Sequence, residues 1–201
     1  MGEDTYLWKH VHGVYEDNFS ALQTWEQIRC KKSEVVWSRS LWFTQGIPRC
    51  AFIVWLSVQN RLSTGDRMRT WRIQQACVLC GERDETRDHL FFVCPYSCTV
   101  WDRLACRLVG RRINQDWQDM LQFIQTGAAN QLDQVIIRLV FQLVVCHVWT
   151  ERNKHIHQQG QLGTEQMITQ INKKVKNKIT SLRYKFDHSL SGLMRRWFEV
   201  I

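Results

Sequence analysis

Residues 76–97, ACVLCGERDETRDHLFFVCPYS, contain three cysteines and a histidine in the pattern C-x2-C-x8-H-x4-C. These four residues are Cys77, Cys80, His89 and Cys94. Three thiolates and one imidazole complete a tetrahedral shell around Zn²⁺, with bonds of about 2.0–2.3 Å. Because four protein ligands leave no coordination position for a reacting water, the pattern predicts a structural zinc site.

Alternatives to this ligand set stay open. The four residues could be unrelated core residues, although a C-x2-C pair with a correctly offset histidine and cysteine is rarely a coincidence. Cys98 is the main rival for the fourth place, because Cys94 and Cys98 also form a C-x3-C pair. A redox role for the C-x2-C pair has still less support, since no βαβ pattern surrounds it. His89 and Cys94 are a little over one helical turn apart, so both can face one ion if the helix loosens there.

The residues around this pattern do not favour catalysis, and we expect a protein that is not an enzyme. Nucleobase deaminases place H-x-E before P-C-x-x-C, whereas here the C-x2-C pair comes first without that glutamate. An H-E-x-x-H pair is also absent from the sequence. Glu85 is interpreted as a solvated loop carboxylate. His147 is interpreted as an ordinary helix residue, and His155 and His157 as a solvated helix end.

Composition indicates a globular protein with a basic surface. The 201 residues are 44% hydrophobic and 23% charged, and ten tryptophans with only two prolines favour a core of packed helices. Lysine and arginine outnumber aspartate and glutamate by 27 to 19, so the net charge is +8. An excess of this size attracts polyanions, although it is also compatible with a soluble basic protein that has no such partner.

The cysteines and the amino terminus predict an intracellular protein of the nucleus or cytoplasm. The first residues, MGEDTYLWKHVHG, lack the apolar region of a secretory signal. Thiols at metal-ligand spacing also favour a reducing compartment. We expect the remaining cysteines to be small buried residues; they are Cys30, Cys50, Cys98, Cys106 and Cys146.

Capping residues and apolar spacing predict a mainly α fold. The predicted helices start after Ser20, at Ser33 (to Trp42), at Pro48, after a Ser63–Asp66 capping box, at Pro95 (to Gly110 and Arg111-Arg112), after Asp116, near Leu132 (to Ile156), after Thr164 (with Phe186 on its apolar face) and over 193–200. The apolar stretch 135–149 is too short to span a bilayer. Gln134, Arg138 and Gln142 form a polar stripe on it, so we expect a buried core helix and no membrane anchor.

Three regions are expected along the chain. A poorly specified lead occupies 1–19, a helical domain with an embedded zinc-knuckle-like CCHC loop occupies 20–110, and a helical region occupies 111–201. In the last region the helix after Thr164 should pack on the helix that begins near Leu132 as a hairpin, because only a short glycine-containing break separates them.

Longer stretches add a resemblance to a known family. WEQIR (25–29), VVWSRSLWF (35–43), RLSTGDRM (61–68) and ETRDHLFFVC (85–94) resemble the zinc-binding domain of plant non-LTR (LINE-type) reverse transcriptases over about residues 15–105. HVWTERNKHIH (147–157) resembles the stretch that follows that domain. The resemblance implies the same four ligands, with Cys98 as a departure. Because the chain lacks the Asp-Asp pair of a two-Mg²⁺ polymerase, we expect the accessory domain standing alone.

Zinc and positive charge together predict weak, sequence-independent binding of RNA or single-stranded DNA. The candidate cations are Arg67, Arg69, Arg72, Arg83, Arg87, Lys173, Lys174, Lys176 and Lys178, although each taken alone is more often a solvated charge. Trp71, Phe91 and Phe92 could stack on bases, although most aromatic residues in such places belong to the core. The alternative functions are a helical scaffold for a protein partner and a retroelement remnant without a selected activity. The sequence does not predict the oligomeric state.

Overall fold

A computed structural model describes residues 6–10, 13–110, 116–157 and 160–201. They form a mainly α-helical protein with the cysteine–histidine loop embedded in it, as the sequence predicts. The chain divides into two compact units, residues 1–35 and 36–201. The region boundaries that we placed after residues 19 and 110 stay predictions.

The first unit contains a short hairpin and one helix. Strands β1 (Trp8–Lys9) and β2 (Tyr15–Glu16) pair antiparallel, in a segment for which the sequence predicted no structure. Helix α1 (Ala21–Ile28) follows, and the Ser20 hydroxyl accepts a hydrogen bond from the Gln23 backbone N–H at 3.3 Å. The predicted cap at Ser20 is therefore confirmed.

The second unit is built from helices around a central one. In chain order they are α2 (Ser38–Leu41), α3 (Pro48–Val58), α4 (Gly65–Met68), a 3₁₀ turn (Arg69–Trp71), a π-helix (His89–Val93), α5 (Pro95–Val109), α6 (Trp117–Thr126), α7 (Gln131–Ile156), α8 (Thr164–Ser181) and α9 (Leu193–Val200). Helix α7 packs against α3, α5 and α8. The predicted hairpin corresponds to α7 and α8, which are joined by a short connection.

Helix α7 has the polar stripe that the sequence predicts, and the stripe bonds to the ends of neighbouring helices. Gln134 and Arg138 both donate to the carbonyl of Ile124, the latter at 3.3 Å. Gln142 donates to the Leu41 carbonyl at 2.6 Å and accepts from the Ile47 N–H at 3.0 Å. By length and composition α7 is long enough to cross a membrane, but 72% of its apolar window is buried inside the protein. Such burial is that of a core helix.

Aromatic rings join the cysteine–histidine loop to the core. Phe91, Phe92, Trp101, Trp117 and Phe141 form neighbouring pairs with centroids between 5.5 and 6.0 Å apart. All five side chains are at most 1% exposed. These contacts pack Phe91 and Phe92 of the loop against the core. Phe91 and Phe92 are therefore core residues, and the idea that they stack on bases is wrong.

Several local predictions differ from the structure. The helix predicted over 33–42 is reduced to α2, because Val35 and Val36 are exposed and their low helix propensity is not offset by packing. Helix α8 ends at Ser181, and Arg183, two residues later, has a left-handed backbone conformation (φ 47°). Phe186 therefore lies outside the helix and is fully exposed, whereas the sequence predicted it on the apolar face of the helix. Cys30 is exposed, contrary to expectation, whereas Cys50 and Cys146 are buried. The predicted helix end at Arg111-Arg112 lies outside the described residues.

Candidate metal centre

The first two cysteines stand on a tight turn. The Cys77 carbonyl accepts from the Gly81 N–H at 2.7 Å, and the Cys77 N–H donates to the Glu82 carbonyl at 2.8 Å. Gly81 has a φ of +84°, a conformation that side chains other than glycine rarely adopt. This turn brings the two sulfurs to one side of the loop.

The histidine and the third cysteine stand at the two ends of a π-helical turn. The Cys94 N–H donates to the His89 carbonyl at 2.7 Å, an i→i+5 bond that places the two residues one above the other. The Thr86 hydroxyl accepts from the His89 N–H at 3.0 Å and supports the start of the turn. The loosened helix that the five-residue spacing requires is thus present.

The four donor atoms lie close enough together to surround one metal ion. They all lie within 4.8 Å of one another. The Cys77 and Cys94 sulfurs are 3.9 Å apart, and the Cys80 sulfur is 3.3 Å from His89 Nε2. Ideal tetrahedral zinc bonds separate two sulfurs by about 3.8 Å and a sulfur and a nitrogen by about 3.6 Å. The donor set and its geometry therefore fit Zn²⁺, with Cys77, Cys80, His89 and Cys94 as the residues that would hold it.

Outer contacts prepare the histidine for this role. His89 Nδ1 lies 3.2 Å from a carboxylate oxygen of Glu82. A carboxylate accepts a hydrogen bond from Nδ1–H, so the ring is held with the Nε2 lone pair directed toward the sulfurs. Sequence reasoning missed Glu82, although its place directly after the C-x2-C-G turn could have suggested a partner for the histidine.

One thiol of the site donates a hydrogen bond to another. A hydrogen bond from the Cys77 thiol lowers the pKa of Cys94, and the same bond raises the pKa of Cys77. Burial raises the pKa of Cys80. Cys94 therefore loses its proton more readily than Cys77 or Cys80, and a bound metal displaces protons from those two sulfurs.

Cys98, the rival ligand, has a different role. The π-helix leaves carbonyls without helical partners, and side chains at the start of α5 donate to them. Cys98 Sγ donates to the Phe92 carbonyl at 2.7 Å, Ser97 Oγ to Leu90 at 2.6 Å and Trp101 Nε1 to Phe91 at 2.8 Å. Among the described residues Cys98 is not part of the metal-ligand cluster.

Glu85 is buried, and the interpretation of it as a solvated loop carboxylate is wrong. Its side chain is fully buried and accepts from Arg152 of α7 at distances of 2.6, 3.1 and 3.3 Å. It also accepts from the Gly65 N–H at 3.0 Å, and its own carbonyl accepts from the Asp66 N–H at 3.0 Å. These bonds replace the predicted Ser63 capping box, since α4 begins instead after Thr64. The sequence hides this role because the seven residues after Gly81 are mostly charged.

Two other predictions concern the histidines of α7. His155 is not a solvated helix end, because its side chain is only 9% exposed and contacts Glu151 and the Val78 carbonyl. His157 is exposed, as expected. His147 is buried within the helix, where burial lowers its pKa.

Three of the predicted nucleic-acid-binding cations line one cavity beside the metal loop. Arg69, Arg72 and Arg83 border a cavity of about 940 Å³ together with Asp84, which pairs with Arg69. Trp71, between two of these arginines in sequence, is 61% exposed. The cavity therefore combines positive charge with a neighbouring exposed indole.

The other predicted cations lie outside this cavity. Arg87 pairs with Asp88 at 2.9 Å and lies 4.8 Å from the centre of the Trp117 ring. Arg67 is half-buried and donates to the Asn60 carbonyl. The four lysines are on α8, where Lys173 and Lys174 are exposed, and Lys176 and Lys178 are half-buried. The ammonium of Lys176 lies 4.6 Å from the centre of the Phe198 ring.

Comparison with known proteins finds one family match over the part of the chain that carries this site. Residues 19–101 match the family described as zinc-binding in reverse transcriptase, and this range includes all four cysteine and histidine ligands. No match was found among curated proteins, and none among solved structures.

Proposed function

We propose that this chain, whose residues 19–101 match the zinc-binding family of reverse transcriptases, is an accessory module that binds RNA or single-stranded DNA. One Zn²⁺ ion on the four ligands holds the loop of residues 77–94, and the arginine-lined cavity beside it receives the nucleic acid. The module itself is not catalytic, since four protein ligands would fill the coordination shell of the ion. Its descent from a plant LINE-type element and its place in the nucleus or cytoplasm are part of the same proposal.

The grouping of Arg69, Arg72 and Arg83 around one cavity is the observation that carries this proposal. Arg83 stands inside the metal loop, so the ion that holds the loop also holds this cation in place. Guanidinium groups bind phosphates through paired hydrogen bonds, and an exposed tryptophan such as Trp71 offers a face for base stacking. Phosphate contacts and base stacking do not read base edges, so binding through them should depend little on sequence.

A salt titration tests the proposal. Binding of a fluorescently labelled single-stranded RNA is followed by anisotropy at 50 and 200 mM salt, with the zinc-loaded protein. Three phosphate contacts on a single strand give a slope of about −2 in log affinity against log salt, a loss of about 20-fold between these concentrations. The variant with Arg69→Gln, Arg72→Gln and Arg83→Gln should bind more weakly and show a flatter slope. Trp71→Ala should lose about 1–3 kcal/mol of stacking energy.

A matched control loses the same charge elsewhere. Arg103, Lys185 and Arg195 are exposed cations outside the cavity, and their triple glutamine variant should keep the parent affinity and slope. Equal weakening by both triple variants would show a non-specific charge effect and contradict the cavity as the site. Absence of RNA binding by the parent at 50 mM salt would contradict the function itself.

The same samples separate the alternative functions. Size-exclusion chromatography with and without RNA shows whether the protein forms a complex. A monomer that ignores RNA but retains a protein partner would favour the helical scaffold over the nucleic-acid module.

A further inference from the structure

The last two turns of α7 contact the metal loop at two separate points. His155 Nδ1 lies 3.3 Å from the carbonyl of Val78, which stands between the two cysteines of the C-x2-C turn. Arg152 binds Glu85, which stands between Cys80 and His89, with its closest contact at 2.6 Å. Both arms of the loop are therefore attached to one rigid helix, by side chains one turn apart.

These attachments are built from buried charges. Arg152 is 3% exposed, Glu85 is fully buried, and Glu151 of α7 is 1% exposed. A buried charge is costly without a partner, so each of these groups is confined to the positions in which its partners reach it. The side chains therefore act as fixed attachment points, unlike a surface ion pair, whose members move freely.

Contacts of Glu151 also reach the chain beside Cys94, the third cysteine of the site. A carboxylate oxygen of Glu151 lies 3.2 Å from His155 Nε2 and accepts from the Leu162 N–H at 2.6 Å. The Leu162 carbonyl accepts from the Tyr96 hydroxyl at 3.0 Å, and Tyr96 lies two residues after Cys94. The carboxyl-terminal end of α7 is thus connected both to the Cys77–Cys80 turn and to the chain beside His89 and Cys94.

We propose that Glu151, Arg152 and His155 are positioning residues of the metal centre, so that metal affinity depends on a helix outside the matched range 19–101. They touch no ligand donor atom. They act through Val78, Glu85 and Tyr96, which hold the two arms of the loop at the separation that four-fold coordination needs. Groups bonded directly to metal ligands typically change metal affinity by about 10–100-fold when they are removed. These residues act one contact further out, so the lower end of that range is expected for them.

The inference rests on the proposed metal binding, and its test separates the two. Zn²⁺ affinity is measured on the full chain by competition with a chromophoric chelator, at a temperature where circular dichroism shows every variant folded. Two variants are compared with the parent. Arg152→Lys keeps the charge but loses the forked geometry, and His155→Phe removes both ring nitrogens. We expect each to weaken Zn²⁺ binding by about 10-fold or more.

The matched control is an ion pair at the other end of the same helix. Arg196 holds Asp133 of α7 through two contacts, at 2.6 and 3.1 Å, and neither residue is among the metal-ligand cluster or its attachments. Arg196→Lys makes the same chemical change as Arg152→Lys, so it reports any general loss of stability. It should leave Zn²⁺ affinity at the parent value.

Two further measurements distinguish positioning from a purely structural role. The Co²⁺-loaded variants should show weaker or shifted ligand-field bands, because the ligand set is distorted. In the metal-free protein, hydrogen exchange of residues 77–94 should be faster in Arg152→Lys and His155→Phe than in Arg196→Lys.

Parent-like Zn²⁺ affinity and Co²⁺ spectra in Arg152→Lys and His155→Phe would overturn the inference and leave the proposed function intact. Equal weakening by Arg196→Lys would also overturn it, since the effect would then be one of general stability. A parent protein that binds no Zn²⁺ would refute the proposed function, and the inference with it.

Discussion

Replacing Glu85 by methionine should destabilise the whole fold, although the residue lies in a loop of charged side chains. Glu85 is fully buried and is the main partner of Arg152, which is 3% exposed. Removing one member of a buried pair leaves an unpaired charge and costs about 3–5 kcal/mol. Domains have total stabilities of about 5–15 kcal/mol, so the loss is about a fifth or more of the total. Arg152→Met should have a similar effect, because it leaves the Glu85 carboxylate without its cation.

The double variant shows whether the cost comes from the pair. With both charges replaced by methionine, the remaining penalty is the loss of partners for the Gly65 N–H and the Ser63 carbonyl, about 1–3 kcal/mol each. Each of these losses also occurs in one of the single variants, which in addition leaves a buried charge unpaired. The double variant should therefore cost clearly less than the sum of the two single costs. The assay is urea unfolding followed by far-ultraviolet circular dichroism, in excess Zn²⁺ so that metal loss does not contribute. Single costs below about 1 kcal/mol, or single costs that simply add in the double variant, would refute the reasoning.

Three other predictions follow from the site and the core. His89→Ala or chelation of the metal should increase hydrogen exchange around residues 74–95 while the α7 core stays protected, and loss of protection throughout the chain would contradict this. Gly65→Ala should cost about 1–3 kcal/mol in urea unfolding, because its Cβ would lie 2.4 Å from the Gln75 carbonyl oxygen; an unchanged midpoint would contradict the crowding. Burial lowers the pKa of His147, so the unfolded state takes up a proton at a higher pH than the folded state does. The free energy of unfolding should therefore fall as the pH drops below about 6.5. His147→Phe should reduce this pH dependence, and an unchanged dependence in the variant would contradict the reasoning.

Much of the helical fold could be predicted, because caps and apolar spacing act locally. Asp116 accepts from the Gln118 and Asp119 N–H groups where the sequence predicts a cap, and α7 begins within one residue of the predicted start. The helix predicted over 33–42 failed for the opposite reason. Valines there have the right spacing, but burial alone would have compensated for their low propensity, and burial is a tertiary property.

In the candidate site, the metal ligands could also be predicted from local sequence, whereas the positions of the cations could not. The spacing of Cys77, Cys80, His89 and Cys94 is a local pattern, and the structure brings all four together. The cations are different, because side chains far apart in sequence meet only through folding. Arg69, Arg72 and Arg83 line one cavity, whereas Arg87 is held over the Trp117 ring. A list of positive residues does not distinguish these cases.

By itself, the order of residues determined the ligand pattern, the helical class and the central apolar helix, since each depends on neighbours within a few turns of chain. Only the tertiary structure determined that Glu85 and His155 are largely buried and paired, although the sequence suggests solvated side chains for both. Their partners, Arg152 and the Val78 carbonyl, are 67 and 77 residues away. Whether a charge is solvated or buried in a pair depends on which distant groups the packed core brings to it, and local sequence carries no record of that.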